Sequence, residues 1–296
     1  MLNSMLDSIR AEADALGLDG DRLIKFAEAT LSEDLGGGVD ATSVATIPDD
    51  QISVANFVSR SIGVVAGVVM SKAILAIACA GEVEFVQEVP EGSLVEVGSL
   101  ILVARGKSRG LLLAERSALN FLGRLSGIAT LTSRWVAAVE GTGVTIRDTR
   151  KTTPGLRDLE KFAVRMGGGT NHRLSLSDAA MIKDNHVLAA GGIKAAFESV
   201  QKKFPTLPIE VEVDRFEQIS EALEVGADLI LLDNMSVEDD RKAVEYVAGR
   251  ARLEASGGIN IDTARAYAQT GVDYLAVGAL THSASNLDIG LDLMVE

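Results

Sequence analysis

The chain has 296 residues, is 47% hydrophobic and 24% charged, and contains 29 Gly, 5 Pro and one Cys, which excludes collagen, coiled coils, disulfide-stapled modules and extensive disorder. Its length fits about two domains, with a core that needs no crosslinks. The net charge of −14 argues against non-specific nucleic-acid binding.

The first residues carry early acids and no apolar run, so no secretory leader is expected. Asp21–Glu33 reads as a helix, followed by a turn-rich Gly-Gly-Gly-Val-Asp-Ala-Thr-Ser. Ile52–Arg60 and Gly63–Val69 read as strands, and Lys72–Ala80 as a helix. Val83–Val89 and Ser99–Ala104 read as further strands, with a Pro90–Gly92 turn between them. Ile62–Gly81 is the one stretch apolar enough to suggest a membrane span. Ser71 and Lys72 interrupt its centre, where a charge is costly in hydrocarbon, so a strand followed by a helix is expected and no span. Cys79, within the apolar run Ala73–Ala80, reads as a small buried hydrophobe. These elements predict a separate α+β domain, joined to the rest of the chain by a long helix over Glu115–Val139 with Arg116 at its start.

Beyond that helix, short β-rich runs alternate with helical stretches. The runs are Val144–Asp148, Ala179–Lys183, Ile209–Val213, Leu229–Asp233, Leu253–Ser256 and Tyr274–Gly278. Six such units imply a parallel sheet. Polar residues stand at or just beyond the carboxyl end of each run: Arg150 and Lys151, Lys183, Glu212, Asp233, Ser256 and Gly278. An open doubly wound sheet gathers only the strand ends near its switch point, whereas a barrel gathers all of them at one mouth. The pattern therefore favours an α/β barrel.

The charge is unevenly spread. Arg147 to Lys183 holds eight Lys or Arg against four acids, a local +4 within a chain of −14. Such a cluster is either a solvated face or a focused anion site. Arg150 and Lys151 follow a strand and precede Pro154-Gly155, which opens a helix, so their loop is positioned and a function is favoured. Arg matches carboxylate or phosphate with a planar fork, while Lys is a point charge. In Gly167-Gly-Gly-Thr-Asn-His172-Arg173 the glycines let backbone approach a ligand. Lys183, at a strand end, is either an anion contact or a Schiff-base lysine of an aldolase or isomerase. Glu212 and Asp233 end successive runs; they can coordinate Mg²⁺, stabilise a cationic transition state, or simply pair with the cationic loops. Ser256, Gly257, Gly258 and Gly278 follow the last two strands, where backbone N–H groups cradle phosphate. None of the three histidines is spaced as a metal pair.

The run RDTRKTTPGLRDLEKFAVRMGGGTNHRLSLSDAAMIKDNHV closely resembles the quinolinate phosphoribosyltransferases. So do LSEDLGGGVDATS, ERSALNFLGRLSGIAT, EVEVD, LILLDN, EASGGI and YLAVGALTHS. Molybdenum-transport-associated proteins share much of the pattern and are the nearest alternative, as non-catalytic binders of a phosphorylated ligand. The resemblance implies an open six-stranded α/β barrel with a smaller N-terminal α+β sandwich domain. The chain would divide at 1–115, 116–280 and 281–296, the last segment packing back on the N-terminal domain. The implied reaction converts quinolinate and phosphoribosyl diphosphate to nicotinate mononucleotide, diphosphate and CO₂ in NAD biosynthesis. Arg116 from a partner subunit, with Arg150, His172, Arg173 and Lys183, would bind the quinolinate carboxylates. Lys151 would meet the phosphoribosyl diphosphate or the reacting centre. Glu212 and Asp233 would hold Mg²⁺ and the ribose, and Ser256, Gly257, Gly258 and Gly278 the 5-phosphate. A homodimer or hexamer of dimers in the cytoplasm is expected, with no nucleic-acid or membrane partner.

Overall fold

The computed structural model describes residues 1–296. It opens with two helices, α1 (Leu2–Ala15) and α2 (Gly20–Leu35), then the short α3 (Ala41–Thr46). Asp19 caps α2 by accepting the Arg22 N–H, and Asp40 caps α3 by accepting that of Ser43, each satisfying a donor that the helix leaves unpaired. Next come β1 (Ile52–Ser59), β2 (Gly63–Val64), α4 (Val68–Ala78), β3 (Val83–Glu88), β4 (Leu94–Val95), β5 (Leu100–Lys107) and the long α5 (Ser108–Ala138). The alternating part begins with β6 (Thr145–Arg147), α6 (Arg157–Met166), β7 (Ala180–Ile182), α7 (Asp184–Ala190), α8 (Ile193–Lys203), β8 (Ile209–Val213) and α9 (Glu217–Glu224). It continues through β9 (Leu229–Asp233), α10 (Val237–Val247), β10 (Arg252–Ser256), α11 (Ile261–Ala268), β11 (Tyr274–Ala276) and α12 (Ala279–His282). The chain closes with β12 (Ile289–Val295).

Contacts divide the chain into two units. One comprises Met1–Leu131, Asp158–Gly167 and Ala284–Glu296; the other comprises Thr132–Arg157 and Gly168–Ser283.

The first unit is built on a four-stranded sheet ordered β12-β1-β5-β3. All three pairings are antiparallel, and β12 lies along almost the whole of β1, from Ser53–Val295 to Ser59–Ile289. No strand is predicted over β12, although Ile289, Leu291, Leu293 and Val295 alternate along it. The expected strand over Gly63–Val69 stops at Val64, and α4 begins at Val68. The reason lies 24 residues away: the Glu91 carboxylate accepts the N–H groups of Gly67 (2.8 Å) and Val69 (3.0 Å) and so caps the helix from outside. Lys72 is retained in this apolar helix because its ammonium lies between Glu12 (2.7 Å) and Glu88 (2.8 Å). Cys79 is buried, as expected. The long helix starts at Ser108, seven residues before the expected Glu115, because β5 runs into it without a turn. The Ser108 hydroxyl is held there by Ser53 Oγ at 2.6 Å.

The second unit holds six parallel strands ordered β6-β11-β10-β9-β8-β7. From β7 to β11 each strand neighbours the next in sequence, and β6, the first of the six, lies beside β11, the last. That is the cyclic order of a barrel, open at one seam between β6 and β7. Arg147 and Thr170 form an isolated bridge near that seam. Val211, Val213, Ile230, Leu232, Leu253, Ala255 and Leu275 are buried along the strands. The helices bury apolar residues of their own, among them Phe197, Ile219, Ala243 and Ala264, and so cover the outer face of the parallel sheet. The alternate strand positions, opposite in parity, are free to line the barrel's interior. No helix is long and apolar enough to cross a membrane.

Candidate active site

Because side chains alternate along a strand, Glu212, Leu231, Asp233, Glu254 and Ser256 share the interior face of neighbouring strands. They line a cavity of about 290 Å³ at the carboxyl ends of the barrel strands. Arg150 and Lys151, in the loop after β6, line the same cavity, as do His172 and Arg173 beyond Gly168 and Lys183 at the end of β7. Eight of the residues singled out in the sequence therefore meet in one place. Arg116 is exposed on α5 and does not line it. Gly257 and Gly258 follow Ser256 beyond β10, and Gly278 opens α12. Gly257 has φ +89°, and a Cβ there would fall 2.3 Å from the Asn234 amide oxygen, so only glycine fits.

A larger hollow, about 470 Å³, opens at the opposite, amino ends of the strands around Asp228, Arg250 and Asp273. Its cations are already engaged: Arg250 donates to the Val247 and Tyr246 carbonyls, and Arg252 to the Tyr274 hydroxyl. The catalytic candidates belong to the other end.

The electrostatics of the smaller cavity are those of an anion site. Arg150 Nε is buried without a hydrogen-bond partner. Burial, and then the nearby Arg150 charge, lower the pKa of the Arg173 guanidinium, as expected where like charges crowd in a partly dry site. One Arg173 nitrogen donates to the Ala179 carbonyl at 2.8 Å, which fixes the side chain. Across from these cations, Glu212 forms a close ion pair with Lys183. The structural alternative for the acids is thus partly realised at Glu212. Asp233 accepts a hydrogen bond from the Asn234 carboxamide at 2.8 Å and meets no cation. Lys151 is anchored at its backbone, where its carbonyl accepts the Thr281 hydroxyl at 2.8 Å.

Beneath the cavity lies a buried network whose members, His172 apart, have no role in the sequence reading. His172 Nε2 is 2.8 Å from Glu210 Oε2 and 3.4 Å from Glu254 Oε1. Arg147 donates to Glu254 Oε2 at 2.6 Å and stacks on the Tyr274 ring, 4.4 Å from its centre. Burial first, then the neighbouring Glu210, push the Glu254 carboxyl up to about 7. Asp148 accepts the His172 backbone N–H at 2.8 Å and the Asn171 carboxamide at 2.6 Å. The usable signal was parity: Glu210 lies two residues before Glu212, and Glu254 two before Ser256, so each shares a face with a singled-out residue.

Family models agree with this geometry. The quinolinate phosphoribosyl transferase N-terminal domain matches residues 40–126. The C-terminal domain of the same family matches residues 128–292. A nicotinate-nucleotide pyrophosphorylase (carboxylating) of Mycobacterium leprae is 49% identical over 89% of this chain and 94% of its own length. Quinolinate phosphoribosyltransferase (decarboxylating) 1b of Nicotiana tabacum is 39% identical over 91% of this chain and 81% of its own. The crystal structure of NadC from Streptococcus pyogenes superposes with a TM-score of 0.88 at 39% identity, covering 92% of this chain and 96% of that one. With both halves matched and full-length relatives at these identities, the chain belongs to the quinolinate phosphoribosyl transferase family.

Proposed function

We propose that this protein transfers the phosphoribosyl group of phosphoribosyl diphosphate to quinolinate, with loss of CO₂, to give nicotinate mononucleotide for NAD biosynthesis. The observation that carries this reading is the cationic wall of one cavity, with a buried guanidinium donor lacking a partner, facing two carboxylates. An anionic acceptor and a sugar that becomes cationic in the transition state require those two sides.

Arg150 and Arg173 would clamp the acceptor's carboxylates, with Lys183 beside them and Arg116 supplied by a partner subunit of a homodimer or a hexamer of dimers. His172 stands in the same wall. Lys151 would neutralise the departing diphosphate. The pyridine nitrogen forms its bond to C1 of the ribose as the C1–O bond to diphosphate breaks, and the carboxylates of Glu212 and Asp233 stabilise the developing sugar cation. Holding both reactants at bonding distance supplies roughly 7–11 kcal/mol of the barrier. The ring nitrogen is then quaternary and draws in the electron pair released when the 2-carboxylate departs as CO₂. A proton replaces it at that carbon. Ser256, Gly257, Gly258 and Gly278 would hold the 5-phosphate through backbone N–H groups.

Glu212 and Asp233 offer oxygen donors on neighbouring strands, the donor type Mg²⁺ prefers, and Glu212 shares its charge with Lys183. They would hold Mg²⁺ with few protein ligands, and the ion would supply positive charge to the diphosphate when bound.

The test is turnover of quinolinate labelled in its 2-carboxylate, with phosphoribosyl diphosphate and Mg²⁺. Labelled CO₂ and nicotinate mononucleotide are expected in equal amounts. Absence of both from folded protein would instead favour the non-catalytic binder.

A further inference from the structure

Every polar atom of the His172 ring is committed inside the protein. The Arg173 backbone N–H donates to Nδ1 at 2.7 Å. Nδ1 therefore keeps its lone pair, and the ring proton stands on Nε2. That N–H meets Glu210 Oε2 at 2.8 Å. Glu254, also buried, brings Oε1 to 3.4 Å from the same nitrogen, but its other oxygen is taken by Arg147 at 2.6 Å. Of two buried carboxylates, one is thus matched to an arginine and the other is left to hold the imidazole. The backbone of His172 is fixed as well, by Asp148 Oδ1 at 2.8 Å.

We propose that Glu210 is a positioning residue for the anion site: it holds His172 as the neutral Nε2–H tautomer, whose Nδ1 lone pair receives the Arg173 amide and sets where the Arg173 guanidinium enters the cavity. This rests on the proposed reaction, in which Arg173 binds the acceptor. Glu210 acts at two removes, through one imidazole and one peptide bond, and does not line the cavity itself.

The same three side chains, His172, Glu210 and Glu254, bring their donor atoms within 4.8 Å of one another, the dimensions of a cation site. The lone pairs argue otherwise. A metal on Nε2 would move the ring proton to Nδ1, directly against the Arg173 N–H, and would sit between atoms already at hydrogen-bond distance.

The chain has three histidines, so ¹⁵N-histidine labelling with a His172→Gln control assigns the ring. An Nε2–H signal with an unprotonated Nδ1 is expected, before any substrate is added. Glu210→Ala should raise KM for quinolinate roughly tenfold or more while changing KM for phosphoribosyl diphosphate little, the scale of losing a charge-assisted hydrogen bond. Glu210→Gln, whose carbonyl accepts the same N–H, should return KM for quinolinate to within about threefold of the wild type. A protonated Nδ1, a shift of the Nε2 signal on adding Zn²⁺ or Mg²⁺ alone, an unchanged KM in folded Glu210→Ala, or a Glu210→Gln protein as impaired as the alanine variant would each overturn the proposal. If Glu210→Ala does not fold, the wild-type spectrum and the glutamine variant still decide. Failure of the wild type to turn over quinolinate would sink the reaction instead, and leave the tautomer measurement standing.

Discussion

Arg173 shows what a single side chain does here. Its guanidinium is half-buried, near another arginine, with one nitrogen donating to the Ala179 carbonyl. A lysine would keep the charge but lose the fork that grips a carboxylate with two parallel bonds. Arg173→Lys should therefore lower kcat/KM for quinolinate by more than about tenfold, measured under steady-state conditions; unchanged kinetics would remove Arg173 from the site. Residues of this kind were legible because they stand in glycine-flanked loops just past apolar runs, where a cation has no structural reason to be. Glu210, Glu254 and Arg147 were not assigned roles. They lie inside strands, and one strand read alone does not say which partners the neighbouring strands bring. Glu254 becomes meaningful only when β6 and β8 place Arg147 and Glu210 around it.

Elements add constraints that neither end of an interaction shows alone. Gly127, on α5, packs against the segment leading to β12: a Cβ there would lie 2.0 Å from the Ser285 carbonyl oxygen. In an open helix, Gly→Ala stabilises by about 1 kcal/mol. Here Gly127→Ala should destabilise by about 1–3 kcal/mol, because the backbone it meets has nowhere to move. A rise in denaturant midpoint would contradict that packing. Helix α10 carries a different tension at Asp240, which is buried with neither carboxyl oxygen hydrogen-bonded. Burial, and then Asp239, push its pKa from 3.8 up to about 7. The folded state thus binds the proton more tightly than the unfolded one, so this contribution is full below about pH 4 and is lost as pH rises through 7. Asp240→Asn should gain on the order of 2 kcal/mol over the wild type at pH 8 and little at pH 4, read from urea unfolding. Glu91 and Glu254 are raised to about 7 as well, so the variant lessens the slope without abolishing it. The six barrel strands were readable in order, since continuous apolar runs between helices leave little choice. The start of α4 was not, because its cap comes from Glu91, far along the chain.

At the scale of the whole molecule, a chain of −14 charge presents a cationic cavity, so attraction of anionic substrates is local. Arg116, exposed on α5, is the one proposed contact that a second copy would supply. Shared sites predict complementation. Arg116→Ala and Lys183→Ala homodimers should each be nearly inactive. Mixing them with subunit exchange should restore about a quarter of wild-type activity, since half the dimers are hybrids and each has one intact site. No recovery under conditions where exchange is demonstrated would confine Arg116 to its own chain. The order in which the residues leave the ribosome adds a last consequence. One edge of β1 is covered by β12, far along the chain at residues 289–295, so a nascent chain carries that edge bare until those residues have been made. A sheet begun early in synthesis is sealed late, and a chain that lacks residues 289–295 would carry an uncovered strand, open to pairing with its neighbours.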